Sequence, residues 1–164
     1  MSSSVAWARG LAFATPLALL GGALIGEHAF GLVACEMCWW QRYPHMAALL
    51  AAGLAFALTE PRTVRWLTAI AGGGLLTTAG IAAWHVGVEQ RWLPTPACSA
   101  GGGSLAEILA RPPVACDQVQ WSLGGVSLAG FNLAFSLAAG ITVFALLLAR
   151  RTTPVARAPK GLPA

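Results

Sequence analysis

Charged residues are scarce in this chain of 164 residues. Only 10% of its residues are charged and 57% are hydrophobic, whereas a soluble domain carries roughly 25% charged and about 45–50% apolar residues. This shortage predicts a membrane protein, and the length allows one domain with about four spans of some 20 residues each. The net charge is +4. We find no basic stripe interleaved with aromatic residues, so the sequence does not indicate a nucleic-acid partner.

Four long apolar runs predict four transmembrane helices. They cover about residues 10–26, 43–59, 66–88 and 123–149. A secretory signal peptide is the alternative for the first run, but that run is long for a signal core and no convincing cleavage site precedes Glu27 and His28. Glycines at 72–74 and 80 give the third run a small-residue face that lets neighbouring helices approach closely. The predicted fold is therefore an all-α four-transmembrane-helix bundle.

Basic residues are unevenly divided between the two sides of this bundle. One side holds Arg9, Arg62, Arg65, Arg150, Arg151, Arg157 and Lys160. The positive-inside rule makes that side cytoplasmic, with both termini on it. The loops at about 27–42 and 89–122 are then external, and they contain all four cysteines. The segment 150–164 is predicted to be a disordered, basic cytoplasmic tail.

The second external loop contains a helix signal of its own. Ser104 and Glu107 have the spacing of a capping box, and Ile108 and Leu109 follow directly. We expect a short amphipathic helix here that lies on the membrane surface.

Cys35 and Cys38 form a Cys-x-x-Cys motif at the external end of the second predicted span. Two intervening residues permit a small disulfide ring that opens and closes readily, and the surroundings can stabilise one thiolate. A structural staple is the alternative, although so short a loop removes little chain entropy. Zinc is a second alternative, but four-cysteine zinc sites usually pair two short knuckles, whereas 17 residues separate Cys98 from Cys116.

A disulfide between Cys98 and Cys116 would close a flexible loop that a partner thiol could reach. A structural disulfide is again the alternative. Two cysteine pairs on one surface indicate a relay instead, because thiol–disulfide exchange passes electrons from pair to pair. Electrons delivered at the membrane surface need an acceptor, and a lipid-soluble quinone reaches the site through the bilayer.

Two further side chains are candidates for the quinone end. Arg42 lies four residues after Cys38, so its charge would favour the Cys38 thiolate and an anionic quinone intermediate; an interfacial arginine is the alternative. His85 could hydrogen-bond a quinone oxygen and relay a proton, or it could be a buried histidine with satisfied hydrogen bonds.

We interpret Glu27, His28 and His45 as interfacial. Five tryptophans lie near the predicted external ends of the helices: Trp39, Trp40, Trp84, Trp92 and Trp121. We interpret most of them as an aromatic belt at the membrane interface rather than as part of a quinone site.

Together these motifs resemble the disulfide-bond formation protein B family, DsbB. The resemblance covers about residues 10–148. His85 stands where that family has a quinone-site histidine. The other matching positions are the Cys35/Cys38 motif followed by Gln41 and Arg42, and the stretch with Cys116, Asp117, Trp121, Leu123, Gly124, Ser127, Gly130 and Asn132.

The resemblance implies a quinone-dependent protein-disulfide oxidoreductase of the bacterial inner membrane with its cysteines in the periplasm. It would reoxidise a DsbA-type thioredoxin-fold oxidase and so sustain disulfide formation in secreted proteins. The quinone would be ubiquinone or menaquinone, and no metal is implied. Whether the partner is the general oxidase or a dedicated protein stays open.

The resemblance also implies a role for each cysteine. The redox-active disulfides would be Cys35–Cys38 and Cys98–Cys116. Cys98 would receive the attack of the partner, and Cys116 would exchange with Cys35. Cys38 would face the quinone as a charge-transfer thiolate, with Arg42 and His85 beside it. The loop between Cys98 and Cys116 is short for the family.

Two rival functions make different predictions. A protein like vitamin K epoxide reductase runs related chemistry on a similar bundle, but there the loop cysteines precede the Cys-x-x-Cys motif, whereas here Cys35 and Cys38 come first. A small membrane scaffold or metal-binding protein would have structural disulfides, cysteines inert to a thioredoxin-fold donor, and no bound quinone.

Overall fold

The computed structural model describes residues 3–96 and 114–149, which form four helices and one short hairpin. The helices are α1 Ser3–Phe30, α2 Glu36–Ala57, α3 Pro61–Glu89 and α4 Leu128–Leu148. The hairpin pairs β1 Ser122–Leu123 with β2 Val126–Ser127 in antiparallel register. Each helix packs mainly on its neighbours in the chain, and α1 closes the bundle against α4. The predicted helical fold is confirmed, while Cys98, the predicted surface helix and the tail lie outside the described residues.

Three of these helices are suited to a membrane. α1, α3 and α4 are long and apolar enough to cross one, by length and composition. α2 differs because its first half contains Glu36, Gln41, Arg42 and His45. These polar residues lower its hydropathy, and three of the four are buried by the neighbouring helices.

Capping side chains fix where α2 and α3 begin. α2 starts before the predicted span, because Cys35 is its N-cap and the Cys35 sulfur accepts the backbone N–H of Cys38 at 3.2 Å. α3 starts with Pro61 in its first turn, where the missing N–H costs little. Glu60 precedes it and accepts the free N–H groups of Arg62 and Thr63.

The hairpin explains why α4 begins later than the predicted span. Gly124 and Gly125 both have positive φ, +59° and +81°, which is the backbone that a two-residue type I′ hairpin turn requires. Ser127 then caps α4 by accepting the N–H of Gly130. The apolar residues Leu123 and Val126 therefore extend the hydrophobic run without extending the helix.

Two arginines close the end of the bundle at which α1 and α3 begin. Arg9 donates to the carbonyl of Ala55 near the end of α2, at 3.1 Å. Arg65 donates to the carbonyl of Leu147 near the end of α4, at 2.7 Å. Cations stabilise helix C-termini because the last carbonyls are unpaired and partly negative. The core beside them is mostly alanine and valine, with Ala8, Ala12, Ala48, Ala51, Ala52, Ala55, Ala71, Val5, Val64 and Val143.

The glycines of α3 divide into two groups. A methyl group added to Gly72 would lie 2.9 Å from Val143 of α4, and one added to Gly74 would lie 3.0 Å from both the Pro44 carbonyl oxygen and a side-chain carbon of α2. Gly73 and Gly80 face open space. The predicted small-residue face is therefore right for Gly72 and Gly74, which contact different helices.

Gly74→Ala should lower the free energy of unfolding by about 1–3 kcal/mol, because the backbone carbonyl of Pro44 cannot move aside without shifting α2. Gly73→Ala is the matched control on the same helix. It should be neutral or stabilising by up to about 1 kcal/mol, since alanine is the better helix former. Unfolding of both variants in detergent micelles measures the difference. Equal losses would contradict the packing of α3 on α2 at Gly74.

Candidate redox site

Cysteines from both loops meet at the end of the bundle opposite Arg9 and Arg65. The Sγ atoms of Cys35 and Cys38 are free thiols 2.8 Å apart. Cys116 is disulfide-bonded and 1% exposed, and it packs in the same buried cluster as Cys35. The structure thus brings three of the four predicted cysteines together, and Cys98 lies outside the described residues.

His85 of α3 lies between the two cysteine segments. Its Nε2 is 3.8 Å from Cys35 Sγ and donates to the backbone carbonyl of Cys116 at 3.1 Å. A carboxylate oxygen of Glu89 lies 3.9 Å from the same nitrogen. Ser127 at the start of α4 donates to Glu89. This chain of contacts connects α2, α3 and α4 at the site.

Two side-chain amides determine which nitrogen of His85 bears the proton. The Thr78 hydroxyl donates its hydrogen to the backbone carbonyl oxygen of Gln41 at 3.0 Å. It must therefore be the acceptor in its hydrogen bond with Asn132 Nδ2 at 3.1 Å. Asn132 Nδ2 also donates to Gln41 Oε1 at 2.6 Å. Gln41 Nε2 then donates to the Met37 carbonyl and to His85 Nδ1, at 3.2 and 2.7 Å. Because Nδ1 accepts, neutral His85 has its proton on Nε2.

That proton suits a thiolate better than a metal ion. The ligand atoms of Cys35, Cys38 and His85 all lie within 4.8 Å of one another, which is close enough for a shared metal. A metal would need the Nε2 lone pair, and the amide network places hydrogen there instead. The N–H faces Cys35, where it stabilises negative charge on sulfur.

The two thiols of the reduced Cys35–Cys38 pair have very different pKa values. The Cys38 thiol donates to the Cys35 sulfur and lowers the pKa of Cys35 to about 5, against the effect of burial and with the help of His85. The same hydrogen bond raises the pKa of Cys38, as does burial, while the charge of Arg42 acts in the opposite direction. At neutral pH the reduced pair is therefore a Cys35 thiolate and a Cys38 thiol.

Arg42 is held in place rather than free at the interface. It donates to Glu27 of α1 at 2.7 Å, and its guanidinium lies 4.8 Å from the ring centroid of Trp39. Glu27, interpreted as interfacial from the sequence, is thus a partner of a predicted site residue. His45 also differs from that interpretation, since it is 3% exposed and bonds Asn132 at 2.8 Å. His28 is exposed and bonds the Leu24 carbonyl of its own helix at 2.9 Å.

A cavity of about 260 Å³ opens beside these groups. Most of its polar lining comes from α2 and α3, and most of its apolar lining comes from α1 and the start of α4, while the loop segments 32–34 and 118–121 complete the wall. The polar lining includes Cys35, Cys38, Gln41, Arg42, His45 and His85. The apolar lining includes Leu19, Ala23, Leu128 and Phe131. The predicted quinone-end residues Cys38, Arg42 and His85 therefore share one cavity.

The sequence did not predict a role for Gln41, Glu89 or Asn132 at the site. Gln41 and Asn132 were visible only as part of the matching motifs. Glu89 lies four residues after His85, which puts both on one face of α3. Gln120 is a further member, since its amide bonds the backbone N–H and carbonyl of Val33 at 2.9 and 2.6 Å and so fastens the two loops together.

The fold and the site define a class: a helical membrane protein with a thiol–disulfide redox centre at one end of its bundle. The family model described as disulfide bond formation protein DsbB matches residues 5–146. The chain belongs to this family, and the resemblance seen in the sequence is confirmed.

Individual relatives agree with the family match. The disulfide bond formation protein B of Marinobacter nauticus is 32% identical, with 90% of this chain and 94% of the relative covered. The protein of the same name from Verminephrobacter eiseniae is 34% identical, with 80% and 79% covered. No solved structure matches the chain. The protein is therefore a membrane disulfide bond formation protein with disulfide oxidoreductase chemistry.

Titration of the reduced Cys35–Cys38 pair tests the thiolate assignment. Followed by thiolate ultraviolet absorbance, the first deprotonation should have its midpoint at about pH 5. Cys38→Ala removes the donor to Cys35 and should shift that midpoint upward, towards the ordinary thiol value. Cys38→Ser keeps an O–H donor at the position and should shift it less. Identical midpoints in both variants would contradict the role of Cys38 as the donor.

Proposed function

We propose that this protein oxidises a periplasmic dithiol protein of the DsbA type and passes the electrons through two cysteine pairs to a membrane quinone. It would do so as a four-span inner-membrane protein with both termini in the cytoplasm. One observation carries the proposal: Cys116 and the Cys35–Cys38 pair share a buried cluster whose edge is a cavity among the helices. This arrangement joins a thiol relay to a membrane-side acceptor.

The first half of the reaction is thiol–disulfide exchange. The partner thiolate attacks Cys98, the Cys98–Cys116 bond breaks, and the electron pair leaves on Cys116. Cys116 then attacks Cys35, which breaks the Cys35–Cys38 bond and leaves the electron pair on Cys38. The shared buried cluster of Cys116 and Cys35 supports this order. The second thiol of the partner then displaces Cys98, which forms the partner disulfide. Cys98 in turn attacks Cys116 and displaces Cys35, so the Cys98–Cys116 disulfide is restored and the Cys35–Cys38 pair is left reduced.

The cavity fits a quinone headgroup. A benzene ring occupies an engineered cavity of roughly 150 Å³, so about 260 Å³ holds a substituted ring. The apolar wall on α1 and α4 suits the ring and leaves an isoprenoid tail among the lipids. A bound quinone supplies the capacity to take up two electrons and two protons.

The residues of the cavity have distinct tasks in this proposal. Arg42 places a fixed cation, oriented by Glu27, beside Cys38. There it favours negative charge on an acceptor oxygen, and it favours the thiolate that Cys38 becomes when Cys116 bonds to Cys35. His85 holds its Nε2 proton towards Cys35 and stabilises that sulfur as a leaving group. The Gln41 amide keeps His85 in this tautomer.

A coupled assay tests the proposal on the detergent-purified protein. With a reduced DsbA-type donor and a soluble quinone, donor thiols and quinone absorbance should fall in equal amounts. Cys38→Ser should abolish quinone reduction but still trap a mixed disulfide at Cys98. Arg42→Ala should impair quinone turnover more than partner binding. Full turnover in Cys38→Ser, or no coupled loss in the parent protein, would contradict the relay.

Blocking the cavity tests where the quinone enters. Gly22 lines the cavity, and a Cβ added there meets no atom within 4 Å. Gly22→Phe should therefore fold, fill part of the cavity and raise the KM for quinone about tenfold or more, while mixed-disulfide formation continues. Gly21→Phe is the matched control, since Gly21 also has open space around it and is not among the lining residues. Similar kinetics in both variants would place the quinone elsewhere.

A further inference from the structure

His45 occupies the wall of the cavity deeper along α2 than the cysteines. It follows Cys38 by seven residues and Arg42 by three, so all three lie on one face of the helix, with His45 about two turns from Cys38. Its side chain is 3% exposed and lines the cavity. Its Nδ1 has no hydrogen-bond partner among residues 3–96 and 114–149.

The amide network also fixes the tautomer of His45. Both hydrogens of Asn132 Nδ2 are committed to Gln41 and Thr78, so Asn132 Oδ1 is an acceptor. It accepts from His45 Nε2 at 2.8 Å and from the Ser136 hydroxyl at 2.7 Å. Neutral His45 therefore has its proton on Nε2 and a free lone pair on Nδ1.

A buried acceptor without a partner is uncommon and points to a ligand. We propose that His45 Nδ1 accepts a hydrogen bond from a hydroxyl of the quinol, and that this contact makes the cavity distinguish the reduced from the oxidised ring. The inference rests on the proposed function and adds to it a residue that recognises the product.

The chemistry of the two ring forms gives the contact its selectivity. When the reduced Cys35–Cys38 pair reduces a quinone, an S–S bond forms and two electrons pass to the ring. The Cys38 thiol gives up one proton and water supplies the second, so the two ring oxygens end as hydroxyls. A quinone oxygen has no hydrogen to offer a bare nitrogen, whereas a quinol hydroxyl has. Arg42 can only donate, so it can serve the oxygens of either form. His45 Nδ1 therefore forms its bond with the product alone.

Binding measured without turnover tests this inference. The full chain with Cys35→Ser and Cys38→Ser cannot exchange electrons, so short-chain ubiquinone and its quinol can be titrated separately under anaerobic conditions. His45→Gln keeps a donor to Asn132 and removes the acceptor at the Nδ1 position. It should weaken quinol binding about 3- to 10-fold, as expected for one hydrogen bond, and change quinone binding less than twofold.

Two further variants separate recognition from packing. His45→Asn places a side-chain carbonyl near the Nδ1 position and should restore part of the quinol affinity. His28→Gln, on the exposed histidine away from the cavity, should change neither affinity. An equal loss for both ring forms in His45→Gln, or an unchanged quinol affinity, would overturn the inference while leaving the proposed function intact. If the protein with Cys35→Ser and Cys38→Ser and an intact His45 binds neither ring form, that result would overturn both the inference and the proposed function.

Discussion

The hydrogen bond between Gln41 and Asn132 connects α2 to α4 through the interior of the bundle, at 2.6 Å. Side-chain amides are costly to bury unless their donors and acceptors are paired. Here backbone carbonyls of α2 orient both amides, one directly and one through Thr78 of α3. The packing of the helices therefore also determines where the protons lie on the two histidines. A rotation of α4 that broke the amide pair would no longer fix the tautomers of His85 and His45.

This constraint divides the bundle into two unlike halves. The end closed by Arg9 and Arg65 is held together by small apolar residues and by the two arginines that cap helix ends. The opposite end concentrates its polar groups on α2, which makes that helix the least membrane-like of the four. Polar side chains within a membrane are costly and mark functional sites. The neighbouring helices cover Gln41, Arg42 and His45, so α2 can keep them without exposing them to lipid.

Much of this architecture could be predicted from the sequence, because apolar runs and the Cys-x-x-Cys spacing are local signals. The place of Arg42 at the site could be predicted for the same reason, because it follows Cys38 by one helical turn. His45 was not, since its burial depends on Asn132, 87 residues away on another helix, and a single sequence does not give the rotation of one helix against another. The start of α4 was misplaced for a different reason: the hairpin is apolar, and only Gly124 and Gly125 indicated its turn.

The thiolate of the reduced pair constrains what the rest of the site must achieve. A disulfide whose reduced form is stabilised is a strong oxidant, because a thiolate of low pKa leaves readily. Holding the pKa of Cys35 at about 5 thus favours electron transfer from Cys116 to the Cys35–Cys38 pair. The same stabilisation opposes the next transfer, since the pair must then give its electrons up. In the proposed reaction the acceptor end must compensate with interactions that favour its reduced form. In this cavity the bare nitrogen of His45 favours the reduced ring, and the cation of Arg42 favours negative charge on a ring oxygen as it forms.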